Sequence, residues 1–200
     1  MTTRAASAIV LAGGRSSRFG RDKLAELVDG RPLVAHAVEA VRAVAGDVVL
    51  VLGPDAPASD ELGVRAVRAV RDPRPFEGPL AGLATGLEAV REPVTLVVGG
   101  DMPGLVPEVL AALLAALDDE AVEAVVLGLD HVPRPLPLAV RVGAATVAAG
   151  ELLARGERSL RELLRVLRTS ELPEADWRRL DPSAASLRDV DRPEDLPAAP

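Results

Sequence analysis

Apolar residues in this chain fall into short unbroken runs that alternate with stretches of helical spacing. Ala8–Ala12 is an apolar run ended by Gly13-Gly14, Val48–Leu52 a second ended by Gly53-Pro54, and Thr95–Val98 a third ended by Gly99-Gly100-Asp101. Runs of this length, rich in Val and Leu and bounded by glycine, predict strands buried on both faces. Val64–Val70 alternates apolar and basic residues and predicts a shorter strand. Ala124–Leu127 and Leu136–Val142 predict two more, the second following a Pro-rich turn over His131–Pro135. Between the strands, Leu33, Val34, Ala37, Val38 and Val41 recur at helical spacing after Pro32, a residue suited to the first turn of a helix. Leu80–Val90, entered through Gly78-Pro79, and Pro107–Leu117 predict helices. Val147–Leu153 and Leu160–Leu167 predict two amphipathic helices separated by Gly156. From Glu171 the tail mixes Pro, Asp and Arg and ends in a short element around Pro193–Leu196.

Strands alternating with helices predict the α/β class: one three-layer α/β/α domain, Rossmann-like, with a mostly parallel central sheet. No internal repeat and no long linker divides the chain, so residues 1–200 read as one domain, long enough to bury a core. Composition changes this picture in one respect. Hydrophobic residues are 48% of the chain, yet Phe19, Phe76 and Trp177 are its only aromatics, so the core must be aliphatic.

Charge and cysteine content narrow the function. Thirty acidic residues against 23 Lys and Arg give a net charge of −7, which argues against a nucleic-acid partner. The absence of cysteine excludes disulfides, thiolate catalysis and thiolate zinc sites, and two histidines are too few for a histidine-rich metal site. Ala8–Ala12 is too short for a signal core or a membrane span, so no membrane partner and a cytoplasmic location are expected.

In open α/β sheets, ligands sit beyond the carboxyl ends of the strands, and three motifs follow predicted strands. The first runs from Leu11-Ala12-Gly13-Gly14 through Arg18 and Gly20 to Lys23. Paired glycines let backbone N–H groups approach an anion, and Arg18 and Lys23 add the charge to grip a triphosphate. The string is neither a Walker loop nor a dinucleotide fingerprint. The second is Asp101 after the Val-rich strand. Alone it reads equally as a turn residue that caps the next helix; beside a phosphate-gripping loop it reads as a ligand for Mg2+, which favours one or two carboxylates with phosphate oxygens and water. The third is Asp189-Val190-Asp191. Alternate residues of an extended segment share a side, so Asp189 and Asp191 could face one crevice, and Asp191 could equally cap the last short helix. Asp72, in a Pro-rich loop, is placed to bind a ribose or base. Arg158-Ser159 could cap the Leu160 helix or hold an acceptor phosphate.

These residues resemble a family. Leu11 to Gly14 with Arg18, Gly20 and Lys23 resembles the signature of the glycosyltransferase-A-like nucleotidyltransferases. Within them the chain is most similar to the molybdenum cofactor guanylyltransferases, through Gly78-Pro79-Leu80-Ala81-Gly82, Gly100-Asp101-Met102-Pro103, Arg134–Arg141, Glu157-Arg158-Ser159-Leu160 and Asp191-Arg192-Pro193-Glu194-Asp195-Leu196. The resemblance implies transfer of GMP from GTP to molybdopterin cofactor, with release of pyrophosphate and dependence on Mg2+. It implies nucleotide contacts from Leu11, Ala12, Gly13, Gly14, Lys23, Asp72, Pro79, Leu80 and Asp101, catalytic roles for Arg18, Lys23 and Asp101, and metal ligation by Asp101 and Asp191. It also implies transient contact with proteins that deliver or accept the cofactor. The chain departs from the guanylyl pattern at Asp189-Val190-Asp191, where Asn-x-Asn is frequent, at Leu52-Gly53-Pro54, which lacks a frequent Asn, and at Phe19, in place of a frequent Met. Two alternatives therefore stand beside guanylyl transfer: a cytidylyltransferase or another transferase acting on a small phosphorylated acceptor, and a nucleotide-binding regulatory module without catalysis.

Overall fold

A computed structural model of the chain describes residues 5–13, 23–65, 67–73, 78–130, 132–190 and 193–195. The apolar runs form strands β1 (Ser7–Ala12), β4 (Asp47–Leu52), β6 (Val94–Gly99) and β7 (Ala124–Leu129). With β5 (Arg68–Arg71), β8 (Val132–Arg141) and β9 (Thr169–Leu172) they build a seven-stranded sheet of order β5-β4-β1-β6-β8-β7-β9. A two-stranded hairpin, β2 (Leu27–Val28) with β3 (Arg31–Pro32), lies outside it. Strand β1 pairs in parallel with β4 and β6, and β5 and β9 continue in parallel at the two ends; β8 runs antiparallel to both its neighbours. The chain therefore works outward from β1 to β5, then returns to the other side of β1 with β6. That reversal of strand order opens a crevice at the carboxyl rim.

Alternation along each strand feeds a core on either face. Ala8, Val10 and Ala12 of β1 pack on one side with α1 (Leu33–Arg42) and α3 (Pro107–Ala115), whereas Ile9 packs on the other with α2 (Pro79–Ala89), α4 (Val142–Ala154) and α5 (Leu160–Val166). Each fully buried Leu, Ile or Val contributes about 1.5–3 kcal/mol, so the two aliphatic faces supply what the scarce aromatics do not. Trp177, on the short helix α6 (Glu174–Trp177), is fully buried and donates its indole N–H to Gly128 O at 2.9 Å.

Three expectations need correction. The strand expected at Val64–Val70 begins at Arg68, because Val64 is buried with Leu62 in a turn that precedes it. The Pro-rich segment expected as a turn lies within β8 from Val132 onward. Prolines at alternate positions leave one edge of a strand without donors, and among the described residues β6 pairs with β8 only over Leu138–Arg141, while Val132–Arg134 pair with β7. The helix expected from Val147 starts five residues earlier, at Val142, directly where β8 ends. Beyond these, β9 and, in the tail, α6 cover the β7 edge.

That tail is fastened by Asp181. Its Oδ2 accepts the Ser186 N–H at 2.7 Å, and its Oδ1 accepts the Ala185 N–H and the Ser183 hydroxyl, each at 3.0 Å. Ser186 Oγ in turn accepts the Val106 N–H at 3.0 Å. Burial alone would push the Asp181 carboxyl up, but the donors from Ser186, Ala185 and Ser183 prevail and hold it below its ordinary value of 3.8. A depressed native pKa means that the unfolded chain binds the proton more tightly, so the stabilisation is present at neutral pH and drains away as pH falls through the native value. Asp181→Ala is expected to lose about 2 kcal/mol in urea denaturation near neutral pH. The gap from the unsubstituted protein should shrink once the pH is taken well below about 4, where the aspartate protonates. A gap of the same size in acid would contradict this account.

Candidate active site

Four strand ends meet at the carboxyl rim. Beyond β1 lies Gly13, where a Cβ would stand only 3.3 Å from Gly53 N, just past the end of β4. The close approach of these two chain segments leaves Gly13 backbone uncovered by a side chain. Beyond β6, the Gly100 N–H donates to Leu11 O at 2.9 Å, extending the ladder and holding Asp101 next to the glycine turn. Beyond β5, the Asp72 N–H donates to Leu52 O at 2.9 Å.

Asp101 is the centre of this arrangement. Its Oδ1 folds back over Gly99, into space that any Cβ there would occupy. Its Oδ2 receives Lys23 Nζ at 2.6 Å, and the same ammonium donates to Val190 O at 3.2 Å. The Val190 N–H closes the loop by donating to Asp101 O at 2.9 Å. Val190 itself is buried, 2% exposed, against Val28 of the hairpin and Leu33 of α1. Three distant segments thus meet at one carboxylate: the 3-10 turn Lys23–Ala25, the end of β6 and the tail. With Val190 turned inward, Asp189 is exposed on the other side of the extended segment.

Asp72 lies in the same rim, three strands from Asp101, a span on the order of 14 Å at about 4.8 Å per strand. It is 8% exposed, and its Oδ1 accepts the Thr85 hydroxyl from α2 at 3.4 Å. Pro79 opens α2 and is exposed, whereas Leu80 is wholly buried and gives its N–H to Arg158 O at 3.2 Å. Leu80 therefore belongs to the core beneath the crevice, and Pro79 to its wall. Gly78, with φ of 88°, permits that junction, because a Cβ would meet Arg158 O at 2.8 Å. Leu11 and Ala12 contribute through the backbone, since Ala12 is buried and Leu11 packs against the core on the α2 side. Ser159 Oγ accepts the Arg161 N–H at 3.1 Å and so caps α5. Gly14, Arg18 and Asp191 lie outside the described residues.

Among the described residues no three His, Asp or Glu side chains gather into a metal-binding group. The lysine ammonium on Asp101 nevertheless shows that this carboxylate is placed to hold a cation. One carboxylate beside Gly13 is also the number of protein ligands with which Mg2+ can be held when phosphate oxygens and water complete its shell. Sequence reading did not single out Val190 or Thr85. Both act through packing or a cross-segment hydrogen bond, for which the chain order gives no signal. No helix among the described residues is long and apolar enough to cross a membrane.

The comparisons with known proteins agree with this geometry. Residues 8–174 match the family model described as the MobA-like NTP transferase domain. A Chloroflexus aggregans protein named as a probable molybdenum cofactor guanylyltransferase is 34% identical over 95% of this chain and 91% of its own. A molybdenum cofactor guanylyltransferase of Burkholderia vietnamiensis is 34% identical over 80% of this chain and 81% of its own. The crystal structure of molybdopterin-guanine dinucleotide biosynthesis protein A from Archaeoglobus fulgidus superposes with a TM-score of 0.79 at 24% identity. It covers 95% of this chain and 94% of the other, a likeness of fold. The chain belongs to the molybdenum cofactor guanylyltransferase family of MobA-like NTP transferases.

Proposed function

We propose that this protein transfers GMP from GTP to molybdopterin cofactor, giving molybdopterin guanine dinucleotide and pyrophosphate with Mg2+ as the divalent ion. The reading rests on one observation: Lys23 and Asp101 touch at the mouth of the glycine turn, in a chain 34% identical to a named guanylyltransferase over nearly its whole length. In the proposed complex the nucleoside end of GTP lies towards Asp72 and Pro79, and the triphosphate lies along Gly13 and Gly14 towards Asp101.

The phosphate of the acceptor attacks the α-phosphorus in line. One P–O bond forms to the acceptor oxygen as the bond to the β-phosphate oxygen breaks, and pyrophosphate carries the charge away. A phosphate nucleophile is already ionised near neutral pH, so the protein needs no general base. Its work is to position two anions and neutralise charge. Asp101, with Asp191, would hold a divalent ion, and that ion would supply part of the neutralisation. Lys23 and Arg18 hold the departing pyrophosphate, and the Gly13 and Gly14 amides donate to it. Lys23 changes partner in this scheme, from the Asp101 carboxylate to phosphate oxygens.

The Asp101→Ala variant is expected to lose divalent-ion-dependent turnover while GTP still raises its melting temperature. Full activity in that variant would refute the metal role. Lys23→Ala should lose about 2–4 kcal/mol of transition-state stabilisation, as when one oxyanion donor is removed; a loss of less than about twofold in kcat/KM would count against it. The nucleotide is tested by melting the protein with each of four nucleoside triphosphates, with and without Mg2+, since a bound ligand raises apparent stability by mass action. GTP with Mg2+ is expected to give the largest rise. A larger rise with CTP would favour the cytidylyl reading, and GTP binding without pyrophosphate release in the presence of molybdopterin would favour a regulatory module.

A further inference from the structure

Strand β8 reaches the active rim from the other direction. It is antiparallel to β6, with Val97 opposite Leu138, so its residues before Leu138 run towards the carboxyl end of β6, which Asp101 follows, on the side away from β1. At Val126 and Leu127 the pairing with β7 jumps from Leu138 to Arg134, and residues 135–137 bulge out. Arg134 stands directly opposite Leu127, and paired residues of antiparallel strands project to one face. Leu127 packs on the face that also takes Met102, Leu105, Ala184 and Leu187. This is the face along which the tail runs to its hydrogen bond with Asp101.

Arg134 is only partly exposed, and its Nε is sealed from solvent with no hydrogen-bond partner. Seven residues on, Arg141 of the same strand is likewise partly buried. It gives its guanidinium to Val122 O at 2.8 Å, Leu117 O at 2.6 Å and Asp119 O at 3.0 Å. Arg68, another partly buried arginine, forks onto Asp47 at 2.6 and 2.7 Å. A sealed donor on a charged group is costly to leave unmade, and the planar guanidinium fork matches phosphate oxygens. We propose that Arg134 binds the phosphomonoester group of the acceptor, holding it on the β8 side of Asp101 opposite the nucleotide. This assignment rests on the reading of the protein as a nucleotidyltransferase with a phosphorylated acceptor, and it names the residue that receives that acceptor.

Arg134→Met and Arg134→Lys test it by direct binding, without turnover. Molybdopterin binding and GTP binding are titrated separately on each purified full-length variant, and each apo-protein is melted. The expected result for Arg134→Met is a molybdopterin Kd raised about tenfold or more, an unchanged GTP Kd, and an apo melting temperature equal to or above that of the unsubstituted protein. Arg134→Lys, which keeps the charge and loses the fork, should fall between. A molybdopterin Kd within about twofold of the original would overturn the proposal. So would a parallel loss of GTP affinity or a lowered melting temperature in both variants, which mark a structural role. If the unsubstituted protein binds molybdopterin but does not transfer GMP to it, the proposed reaction fails while the Arg134 assignment is still judged by the same titration. If it binds no molybdopterin at all, both fail.

Discussion

The contact between Lys23 and Asp101 joins residues 78 positions apart, and nearly every feature of the rim serves to make it possible. Strand order has to reverse beside β1, so that the turn leaving β1 and the turn leaving β6 share a crevice. Gly99 has to lack a side chain, so that the aspartate can fold back over it. Both partners retain some solvent access, at 17% and 24%, which limits the desolvation cost that makes fully buried pairs poor stabilisers. A pair of this kind contributes little to stability. Its value is in orientation, because the ammonium shared with Val190 O fixes the carboxylate at the rim.

The tail completes this contact from a third direction. Val190 accepts from Lys23 and donates to the backbone of Asp101, and its buried side chain is clamped between Val28 and Leu33. The hairpin β2–β3 therefore has a task beyond linking the glycine loop to α1: it forms one wall of the socket in which the tail is seated. Upstream, Asp181 and Ser186 fix the tail against the loop before α3. The site is built from segments spread over the whole sequence, and its precision depends on hydrogen bonds between loops rather than on any one element.

How much of this could be read from the chain depends on where the information lies. The four central strands and five of the helices announce themselves by uninterrupted Val and Leu runs or by 3.6-residue spacing, both local properties. Lys23, Asp72 and Asp101 were legible because each follows a strand at the end where α/β sheets bind ligands. Strand β9, with the sequence Thr-Ser-Glu-Leu, was not, because an edge strand half open to water needs no apolar run. Nor was the first half of β8, since proline at every second position reads as a turn unless one knows that the pairing with β6 ends where Leu138 stands opposite Val97. Val190 and Arg134 were invisible for a related reason. The burial of one and the unmet donor of the other exist only once distant segments have packed around them.

The reversed strand has a mechanical consequence for two-substrate chemistry. Parallel strands β5, β4, β1 and β6 present the rim with their last residues. A parallel strand in the place of β8 would offer the same. Because β8 runs the other way, it presents its opening residues, of which Val132–Arg134 pair with β7 and whose prolines at 133, 135 and 137 fix φ. In-line displacement demands that the attacking oxygen be held on a fixed line with the α-phosphorus while the leaving group departs on the far side. A strand rather than a loop on the proposed acceptor flank suits that demand. A side chain anchored on such a strand holds its position better than one carried on a loop, and the Nε of Arg134, without a hydrogen-bond partner among the described residues, has no such bond to break before it meets the acceptor anion proposed for it.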